Sequence, residues 1–406
     1  MNSSFLYHVW GLYNHKCLRA GYKGNVITLH VETKERQKIC PKCGCRHLVK
    51  NGYRTRDFIG LPIGGKKTII RMKVQRYKCM NENCGYDQQE NIPFVTGSCS
   101  YTHRFATYVV DLLKAMTLKD AANMLNVTWD TIKEIHSNYL ERHYSPPPLD
   151  GVECIGIDEF AVKKGRIYKT IVVDLKTGHI LYVGNGKGAD ALDQFWKRIK
   201  RKQIDIKYVA TDLSATFTAS ILENCPNAIH VFDHFHVVKL MNDKLDDIRR
   251  VQYNMEKDVN KRKVLKGTRY LLLSNGEDIF DREYKTRLDN ALEMNKPLSQ
   301  AYYLKEQLRE IWSQINKDQA NKVLLDWVTQ ARESNVPQLE KMATTIMTHR
   351  TGILAWYDCP ISTGKVEGIN NKIKVMKRNA YGFRDEKYFC LRLYALHDCR
   401  ITRNVG

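Results

Sequence analysis

The chain has 406 residues, 43% of them hydrophobic, and carries 65 Lys and Arg residues against 44 Asp and Glu, a net charge of +21. This charge favours a polyanionic partner, either nucleic acid or an anionic membrane surface. No stretch approaches the roughly 18 apolar residues that a membrane-spanning helix needs, so nucleic acid in the cytoplasm is the favoured partner.

The amino-terminal segment Met1–Cys17 has no basic start followed by an apolar run, which argues against a secretory signal. The twelve cysteines lack the density of a small secreted domain, so a reducing compartment is expected. The excess charge lies in two regions: residues 34–78 hold fourteen Lys and Arg against two acids, and residues 364–406 hold ten against four. Two solvated basic faces would explain this pattern, but a long duplex that contacts both explains it better.

Residues 36–98 are punctuated by cysteines, four of which have the spacing of a zinc site. Two close pairs of thiolates, 35 residues apart, complete a tetrahedral shell around Zn²⁺. The strand-like spacer Thr68–Arg76 is typical of a zinc ribbon. Because a four-thiolate shell has no open position, one structural zinc ion is expected. Cys45 and His47 are nearby alternative ligands. The four expected ligands are Cys40, Cys43, Cys79 and Cys84.

Residues 101–144 change to helical periodicity and carry the pattern of a helix-turn-helix. Ala122 is a small residue where two helices would cross, and Asn126 stands at the turn, where a left-handed conformation is needed. Two ordinary amphipathic helices are the alternative, which the basic ribbon in front disfavours. We expect Lys133 and His136 on the exposed side of the second helix to contact DNA. The polar residues expected on that side are Asp130, Thr131, Lys133, Glu134 and His136.

The segment Ser145–Pro148 cannot continue a helix and predicts an extended linker at the main domain boundary. Beyond it, three predicted strands and then helix–strand–helix–strand indicate a mixed sheet with helices on its faces. The pattern is helical from about His234 to Tyr357, and a final helix is predicted from about Thr363 to Lys377. The predicted strands are 152–158, 167–175, 179–183, 206–212 and 228–233, and the helices between them are 189–201 and 214–224.

Three acidic residues stand where a metal site could form. Asp158 ends the first predicted strand, Asp212 ends the fourth, and Glu367 lies near the start of the final helix. If the fourth strand lies beside the first, Asp158 and Asp212 converge at one edge of the sheet. Phosphoryl transfer between nucleic-acid strands uses such a cluster, because carboxylates hold two hard cations about 4 Å apart. A single Asp after a strand is usually a loop residue, but two on adjacent strands with a helical Glu predict a metal site.

The final predicted helix has an apolar stripe that would dock it and a polar face that carries Glu367. Amide and ammonium groups on this face and beside it would contact DNA phosphates. The expected stripe is Val366, Ile369, Ile373 and Met376. The expected phosphate contacts are Asn371, Lys372, Lys374, Lys377 and Arg378.

Taken together, these motifs resemble the insertion-sequence transposases of the ISL-three (ISL3) family. The resemblance covers residues from about 36 to 395, and its most specific parts are the first and last core segments. It rests on the ribbon CPKCG…YKCMNENC, the helix-turn-helix, and the core segments IGIDEFAVKKG, YVATDLSATF, VFDHFHVVKLMND and STGKVEGINNKIKVMKRNAYGF.

The resemblance implies a multidomain α/β protein whose mixed-sheet core is RNase H-like. In that core Asp158, Asp212 and Glu367 would form a DDE triad, with a large α-helical insertion between the second and third acids. The implied domains are an N-terminal zinc ribbon (1–98), a helix-turn-helix DNA-binding domain (99–144), the first part of the core (150–236), the helical insertion (237–358) and the last part of the core with the Glu367 helix (359–406).

The implied activity is DNA cleavage at the ends of an insertion sequence, followed by strand transfer into target DNA. Two Mg²⁺ ions per active site, or Mn²⁺ in their place, would be held by the three acids, and residues 36–144 would bind the terminal inverted repeats. Two ends must be joined together, so at least a homodimer is expected on double-stranded DNA, in the bacterial cytoplasm with the nucleoid and not at a membrane. A transcription regulator and a Holliday-junction or ribonuclease-type nuclease are the alternatives; the nuclease would cut without joining.

The segment Asp233–His236 follows the fifth predicted strand and borders the metal site if that strand lies beside the fourth. In one interpretation, Asp233 caps the following helix by accepting backbone N–H groups. The resemblance offers another, because related transposases carry a Cys or Asp, two further residues and then a His. His236, rather than His234, would then be a catalytic group beside the reacting phosphate or the flanking base. Oxygen ligands suit Mg²⁺ better than imidazole, so His236 would support the metal ligands from behind or contact DNA, and would not bind the metal itself.

Overall fold

The computed structural model describes residues 3–35, 37–163, 165–360, 364–380 and 382–397. Two compact units are distinguished: Met1–Ser145 with Met376–Gly406, and Pro146–Val375. The division at Ser145 coincides with the proline-rich segment, while the finer domain boundaries stay predictions. Residues 398–406 of the predicted last domain, and Thr363 at the predicted start of its helix, lie outside the described residues.

The described part of the chain contains ten strands and sixteen α-helices. The strands are β1 (His15–Lys23), β2 (Val26–Thr33), β3 (Leu48–Ile63), β4 (Lys66–Cys79), β5 (Asp87–Gln89), β6 (Cys154–Lys163), β7 (Ile167–Asp174), β8 (Ile180–Asn185), β9 (Tyr208–Thr211) and β10 (Ile229–Phe232). The helices of the first half are α1 (Ser3–Trp10), α2 (His103–Leu112), α3 (Leu118–Leu125), α4 (Trp129–Tyr144), α5 (Asp193–Lys202) and α6 (Ala215–Asn224). Those of the second half are α7 (His234–Met255), α8 (Val259–Gly267), α9 (Arg269–Leu273), α10 (Arg282–Glu293), α11 (Lys296–Glu310), α12 (Lys317–Glu333), α13 (Pro337–Thr348), α14 (Arg350–Leu354), α15 (Gly364–Asn379) and α16 (Glu386–Tyr394). Short 3-10 helices span Ala189–Leu192, Gly276–Asp278 and Ala355–Tyr357.

The first unit begins with a sheet of order β1-β2-β4-β3, and β5 extends it beside β4. Alternate residues of β4 are buried, which gives the sheet one apolar face, and α1 covers it through Trp10. A Cβ atom on Gly60 would lie 2.7 Å from the Trp10 ring, so this position of β3 requires glycine. The predicted strand at 68–76 is confirmed as part of β4.

Helices α2, α3 and α4 form the predicted helix-turn-helix. Asn126 adopts the expected left-handed conformation, with φ of 51°, and caps the carboxyl end of α3. Thr128 then begins α4 by accepting a hydrogen bond from the Thr131 N–H. Helix α16, which the sequence pattern did not indicate, packs against α4 through Leu140 and Leu391. It is therefore part of the core of this unit.

The second unit contains a sheet of order β10-β9-β6-β7-β8. Strands β6, β7 and β8 pair antiparallel, whereas β9 pairs parallel with β6 and β10 parallel with β9. Three antiparallel strands extended by two parallel ones are the arrangement of an RNase H-like core. The predicted mixed sheet is confirmed, including the fourth strand beside the first and the fifth beside the fourth. Helices α5 and α6 cover one face through Phe195, Trp196 and Phe217.

Two predicted elements differ in extent from the structure. Strand β6 continues to Lys163 because β7 pairs with it along its length, so Asp158 lies in mid-strand and not at the strand end. The predicted helix 189–201 is confirmed, but it begins as a 3-10 turn before α5.

A large helical insertion separates β10 from α15. Helices α7 to α14 enclose their own apolar core, in which Trp327, Leu308 and Met342 are buried. This confirms the helical prediction for about 234–357. None of the described helices is both long enough and apolar enough to cross a membrane.

Helix α15 docks through its apolar side. The predicted stripe is buried: Val366, Ile369, Ile373 and Met376 are between 1% and 7% exposed. A Cβ atom on Gly156 of β6 would lie 2.8 Å from Val366 Cγ2, so glycine permits this close approach. The Lys365 ammonium donates to the carbonyl oxygen of Leu175, at 2.8 Å. These contacts fix the start of α15 against the core sheet.

Candidate functional site

The four predicted zinc ligands come together at one end of the β3–β4 hairpin. Their sulfur atoms all lie within 4.8 Å of one another. The Cys40–Cys84 sulfurs are 3.6 Å apart, and the Cys43–Cys79 sulfurs are 3.7 Å apart. The turn after Cys40 closes with a hydrogen bond from the Gly44 N–H to the Cys40 carbonyl, where Gly44 has a φ of 74°. This positive φ is the conformation for which glycine is suited.

The thiols of this cluster differ in acidity. Burial acts to raise the pKa of Cys40, but the backbone N–H groups of Cys43 and Lys42 lower it to about 7. Burial and the neighbouring Cys43 thiol raise the pKa of Cys84. One thiolate therefore forms readily, and further ionisation needs a compensating positive charge. Cys45 is outside the cluster and accepts a hydrogen bond from the His47 N–H.

Asp158 lies in β6, and Asp212 directly follows the neighbouring strand β9, which ends at Thr211 and not at Asp212 as predicted. In the parallel β6–β9 pair, Gly156 is opposite Ala210, so the two acids each lie two residues further on. Asp158 Oδ1 accepts a hydrogen bond from the Glu159 N–H at 2.8 Å. Asp212 Oδ1 accepts one from the Ser214 N–H at 3.1 Å. The expected convergence of these two carboxylates stays a prediction, and the effect of the Asp212 charge on the pKa of Asp158 supports it.

The electrostatics of the site follow from this placement. Burial raises the pKa of Asp158, and the charge of Asp212 adds to the rise. The pKa of Glu159 is also raised, first by burial and then by Asp212. Burial and charge repulsion both disfavour the ionised carboxylates here, and a bound cation would counter both effects.

His236 lies on the first turn of α7, next to these acids. Asp233 is 2% exposed, caps α7 by accepting from the Phe235 N–H, and has its Oδ2 3.2 Å from His236 Nδ1. The Asp233 carboxylate raises the pKa of His236, with smaller contributions from Asp158 and Asp212. His234 is farther from Asp233, with 3.6 Å between Nδ1 and Oδ1. The capping interpretation is confirmed, and it also orients His236.

Glu367 is exposed on the first turn of α15. Among the described residues, the cysteine cluster is the one set of three or more His, Cys, Asp or Glu side chains close enough together to hold a metal ion. The three predicted acids do not form such a set. The residue of α15 that contacts Asp158 is Asn370, whose Nδ2 donates to Asp158 Oδ2 at 2.6 Å. Asn370 was missed in the sequence, although it lies one turn after Glu367.

The structure corrects one predicted DNA contact on α4. The expectation that His136 is exposed is wrong: it is 5% exposed and lies against Tyr388 of α16. Lys133 is half-buried and forms an ion pair with Asp385, with 2.6 Å between Nζ and Oδ2. Helix α16 covers this side of α4. On α15 the predicted contacts remain at the surface, except Lys377, which is half-buried; the exposed ones are Asn371, Lys372, Lys374 and Arg378.

Comparisons with known proteins agree along the chain. Residues 155–393 match a family model described as "Transposase", and residues 36–84 match the zinc finger of transposases IS204/IS1001/IS1096/IS1165. Residues 90–139 match the helix-turn-helix domain of transposase family ISL3.

Relatives that align with most of this chain are also described as transposases. The transposase for insertion sequence element IS1001 of Bordetella parapertussis is 31% identical over 375 residues, 92% of each chain. The transposase for element IS1557 of Mycobacterium tuberculosis is 25% identical and covers 85% of this chain and 82% of its own. The Drosophila P element transposase strand transfer complex aligns over 74% of this chain and 92% of that chain, with 12% identity and a TM-score of 0.39. That overlap adds nothing to the strand order given above.

An RNase H-like core preceded by a zinc ribbon and a helix-turn-helix defines a DNA transposase, an enzyme of the DDE class. The chain belongs to transposase family ISL3.

Proposed function

We propose that this transposase cleaves and joins DNA at a divalent-metal site formed by Asp158, Asp212 and Glu367. The observation that carries the proposal is the placement of Asp158 in β6 and of Asp212 directly after the parallel strand β9, where the charge of Asp212 acts on Asp158. Glu367 enters the proposal because α15 is docked against β6 at Gly156 and Asp158. Its carboxylate needs a side-chain rearrangement to join the other two.

The donors fit Mg²⁺. Carboxylate oxygens are its preferred protein ligands, and each Asp keeps lone pairs beyond those that accept backbone N–H groups. When bound, Mg²⁺ supplies positive charge that stabilises the attacking and leaving oxygens of phosphoryl transfer. The choice of Mg²⁺, with Mn²⁺ as a substitute, is part of this proposal.

The residues around the acids prepare the site. The N–H groups of Glu159 and Ser214 hold one oxygen of each Asp in place. The proposed role of His236 is to hold the scissile strand, because its raised pKa favours the imidazolium that phosphate attracts. Asp233 keeps the imidazole oriented.

A zinc ion held by Cys40, Cys43, Cys79 and Cys84 is the second metal proposed. The close approach of the four sulfurs supports it, together with the acidity differences among the thiols. This zinc would be structural, since four thiolates leave no position for substrate.

The proposed DNA partner is the terminal inverted repeat of the element, bound through residues 36–144, with target DNA as the second substrate. On α15 the exposed Asn371, Lys372, Lys374 and Arg378 would contact phosphates. Joining two ends together requires at least a dimer on the DNA. A chromosomal substrate would place the protein in the cytoplasm with the nucleoid. The five domains predicted above would divide these tasks.

The test is cleavage of a supercoiled plasmid that carries the ends of the element, with purified protein and Mg²⁺. We expect breaks at the element ends that leave 3′-OH groups, and no breaks when EDTA replaces Mg²⁺. A protein that binds the same ends tightly and breaks no strand under either condition would be a regulator, and the proposal would be wrong.

A further inference from the structure

Asn370 connects α15 to the strand that carries Asp158. Its Nδ2 donates to Asp158 Oδ2 at 2.6 Å, a bond between residues 212 positions apart. The other oxygen of Asp158 accepts from the Glu159 N–H at 2.8 Å. Both carboxylate oxygens are thus held, one by the strand itself and one by α15. The rotation of the Asp158 carboxylate is therefore fixed by the position of that helix.

The chemistry of the donor is suited to a metal ligand. A neutral amide orients a carboxylate without neutralising it, so Asp158 keeps its full charge for a cation. A Lys or Arg at the same position would compete with the metal for that charge. The arrangement has a cost, because Asn370 Oδ1 is buried without a partner among the described residues. A buried acceptor without a hydrogen-bond partner is tolerated where the rest of the side chain has a functional role.

The helix geometry extends this link to the third acid. Glu367 precedes Asn370 by three residues, so the two Cβ atoms are neighbours on one side of α15. Val366 against Gly156 and Lys365 on the Leu175 carbonyl fix the same turn of helix against the core. Any movement of this turn would shift Glu367 and release Asp158 together.

We propose that Asn370 is a positioning residue for the metal site, which sets the Asp158 carboxylate and the Glu367 turn in one arrangement. This inference rests on the proposed function of Asp158 and Glu367 as metal ligands. Asn370 acts through Asp158, and no contact with DNA is assigned to it. Residues that orient metal ligands are worth about 10–100-fold in metal affinity.

The chain provides a matched control in the next residue. Asn371 is exposed and points away from Asp158, with its Oδ1 3.3 Å from Lys374 Nζ. The test compares Asn370→Leu and Asn371→Leu in the full-length protein. Mn²⁺ binding is measured from the electron paramagnetic resonance signal of free Mn²⁺, and folding from thermal unfolding. Asn370→Ala, which removes the donor and adds no charge, serves as a second variant, with the same expected loss of Mn²⁺ affinity, if Asn370→Leu does not fold.

We expect Asn370→Leu to weaken Mn²⁺ binding by about tenfold or more, and Asn371→Leu to leave it unchanged. Saturating Mn²⁺ should restore much of the cleavage rate of Asn370→Leu, a response that a merely unfolded variant would not give. Equal Mn²⁺ affinity for both Leu variants would overturn the inference. Asp158→Ala distinguishes a failure of the proposed metal site from a failure of the proposed role of Asn370. If Asp158→Ala binds Mn²⁺ like the wild type, the proposed metal site is wrong. If Asp158→Ala loses Mn²⁺ binding and Asn370→Leu does not, only the role of Asn370 is wrong.

Discussion

The Tyr388 hydroxyl lies 2.7 Å from Nδ1 of His136, and the two side chains join α16 to α4. Beside them, Lys133 pairs with Asp385, which caps α16. The helix-turn-helix of this transposase therefore includes a fourth helix from the far end of the chain. That helix covers one side of α4, the helix predicted to enter the DNA groove.

The His136–Tyr388 contact predicts a pH dependence for this helix pair. Burial lowers the pKa of His136 to about 3, and the charge of Arg392 contributes. In the unfolded chain the pKa is near 6.5, so below that pH the unfolded state binds more protons. The stabilisation is complete above about pH 6.5 and is lost as the pH falls toward 3. We expect α4 and α16 to open more readily at pH 5 than at pH 7, by about 2 kcal/mol.

Hydrogen–deuterium exchange of the α4 and α16 amides at the two pH values measures this change. The control is His136→Phe, which keeps an aromatic ring against Tyr388 and cannot titrate. Its exchange, corrected for the intrinsic effect of pH, should depend less on pH than that of the wild type. The same pH dependence in both proteins would show that His136 is not the group responsible.

The cysteine cluster predicts one zinc ion per chain, with a defined ligand set. Cys79→Ser and Cys84→Ser should lose the zinc and unfold the ribbon, because a structural zinc site contributes folding free energy directly. Cys45→Ser should retain zinc, since Cys45 lies outside the group of four sulfurs. Native mass spectrometry reads the metal content of each variant. If Cys45→Ser loses zinc and Cys84→Ser retains it, Cys45 and not Cys84 is a zinc ligand.

The acidic site predicts that cleavage and DNA binding separate. Asp158→Ala, Asp212→Ala and Glu367→Ala should each slow cleavage by roughly a hundredfold or more, the scale for losing one electrostatic group of an active site. DNA affinity should stay the same or rise, because each change removes a negative charge. Cleavage assays and gel shifts on the same end fragment measure the two effects.

Glu223→Gln, an exposed acid of α6, is the matched control and should cleave normally. The assignment of Glu367 depends most on this experiment, because its carboxylate does not lie in a close group with those of Asp158 and Asp212. Near-normal Mg²⁺-dependent cleavage by any one of the three Ala variants would remove that residue from the metal site.

The two histidines after Asp233 predict unequal effects. His236→Ala should slow cleavage roughly tenfold or more, as expected for a lost contact between a charged donor and phosphate. His234→Ala should have a much smaller effect, because His234 is farther from Asp233 and more exposed. Single-turnover cleavage distinguishes the two variants, and their zinc content and their binding to the element ends are measured as controls. Equal and mild effects would leave Asp233 with its capping role alone.

Much of the core could be predicted because its strands are marked by local patterns. Apolar runs bounded by turns gave the strands, and their order placed Asp212 beside Asp158. The extent of β6 could not be read in the same way. The pair Asp158–Glu159 interrupts the apolar run, whereas the strand continues because β7 supplies hydrogen bonds across it.

The errors at the site come from tertiary contacts that leave no local signal. His136 was expected at the surface because it is polar, but its environment is set by Tyr388, 252 residues away. On α15 the polar face was drawn through Glu367, Asn371 and Lys374. The apolar stripe docks as predicted, and Asn370, one turn after Val366, lies at its edge and contacts Asp158. Only the packing of Val366 against Gly156 reveals that contact.

Strand transfer with pre-cleaved ends tests most directly whether this protein joins DNA at the proposed metal site. Linear DNA carrying the terminal repeats with free 3′-OH groups is incubated with the protein, Mg²⁺ and a target plasmid, and the junctions are sequenced. We expect covalent joining of the 3′ ends to target strands, and none with Asp158→Ala. Efficient cutting of uncleaved ends without any joined product would contradict it, because a nuclease on the same core uses water alone.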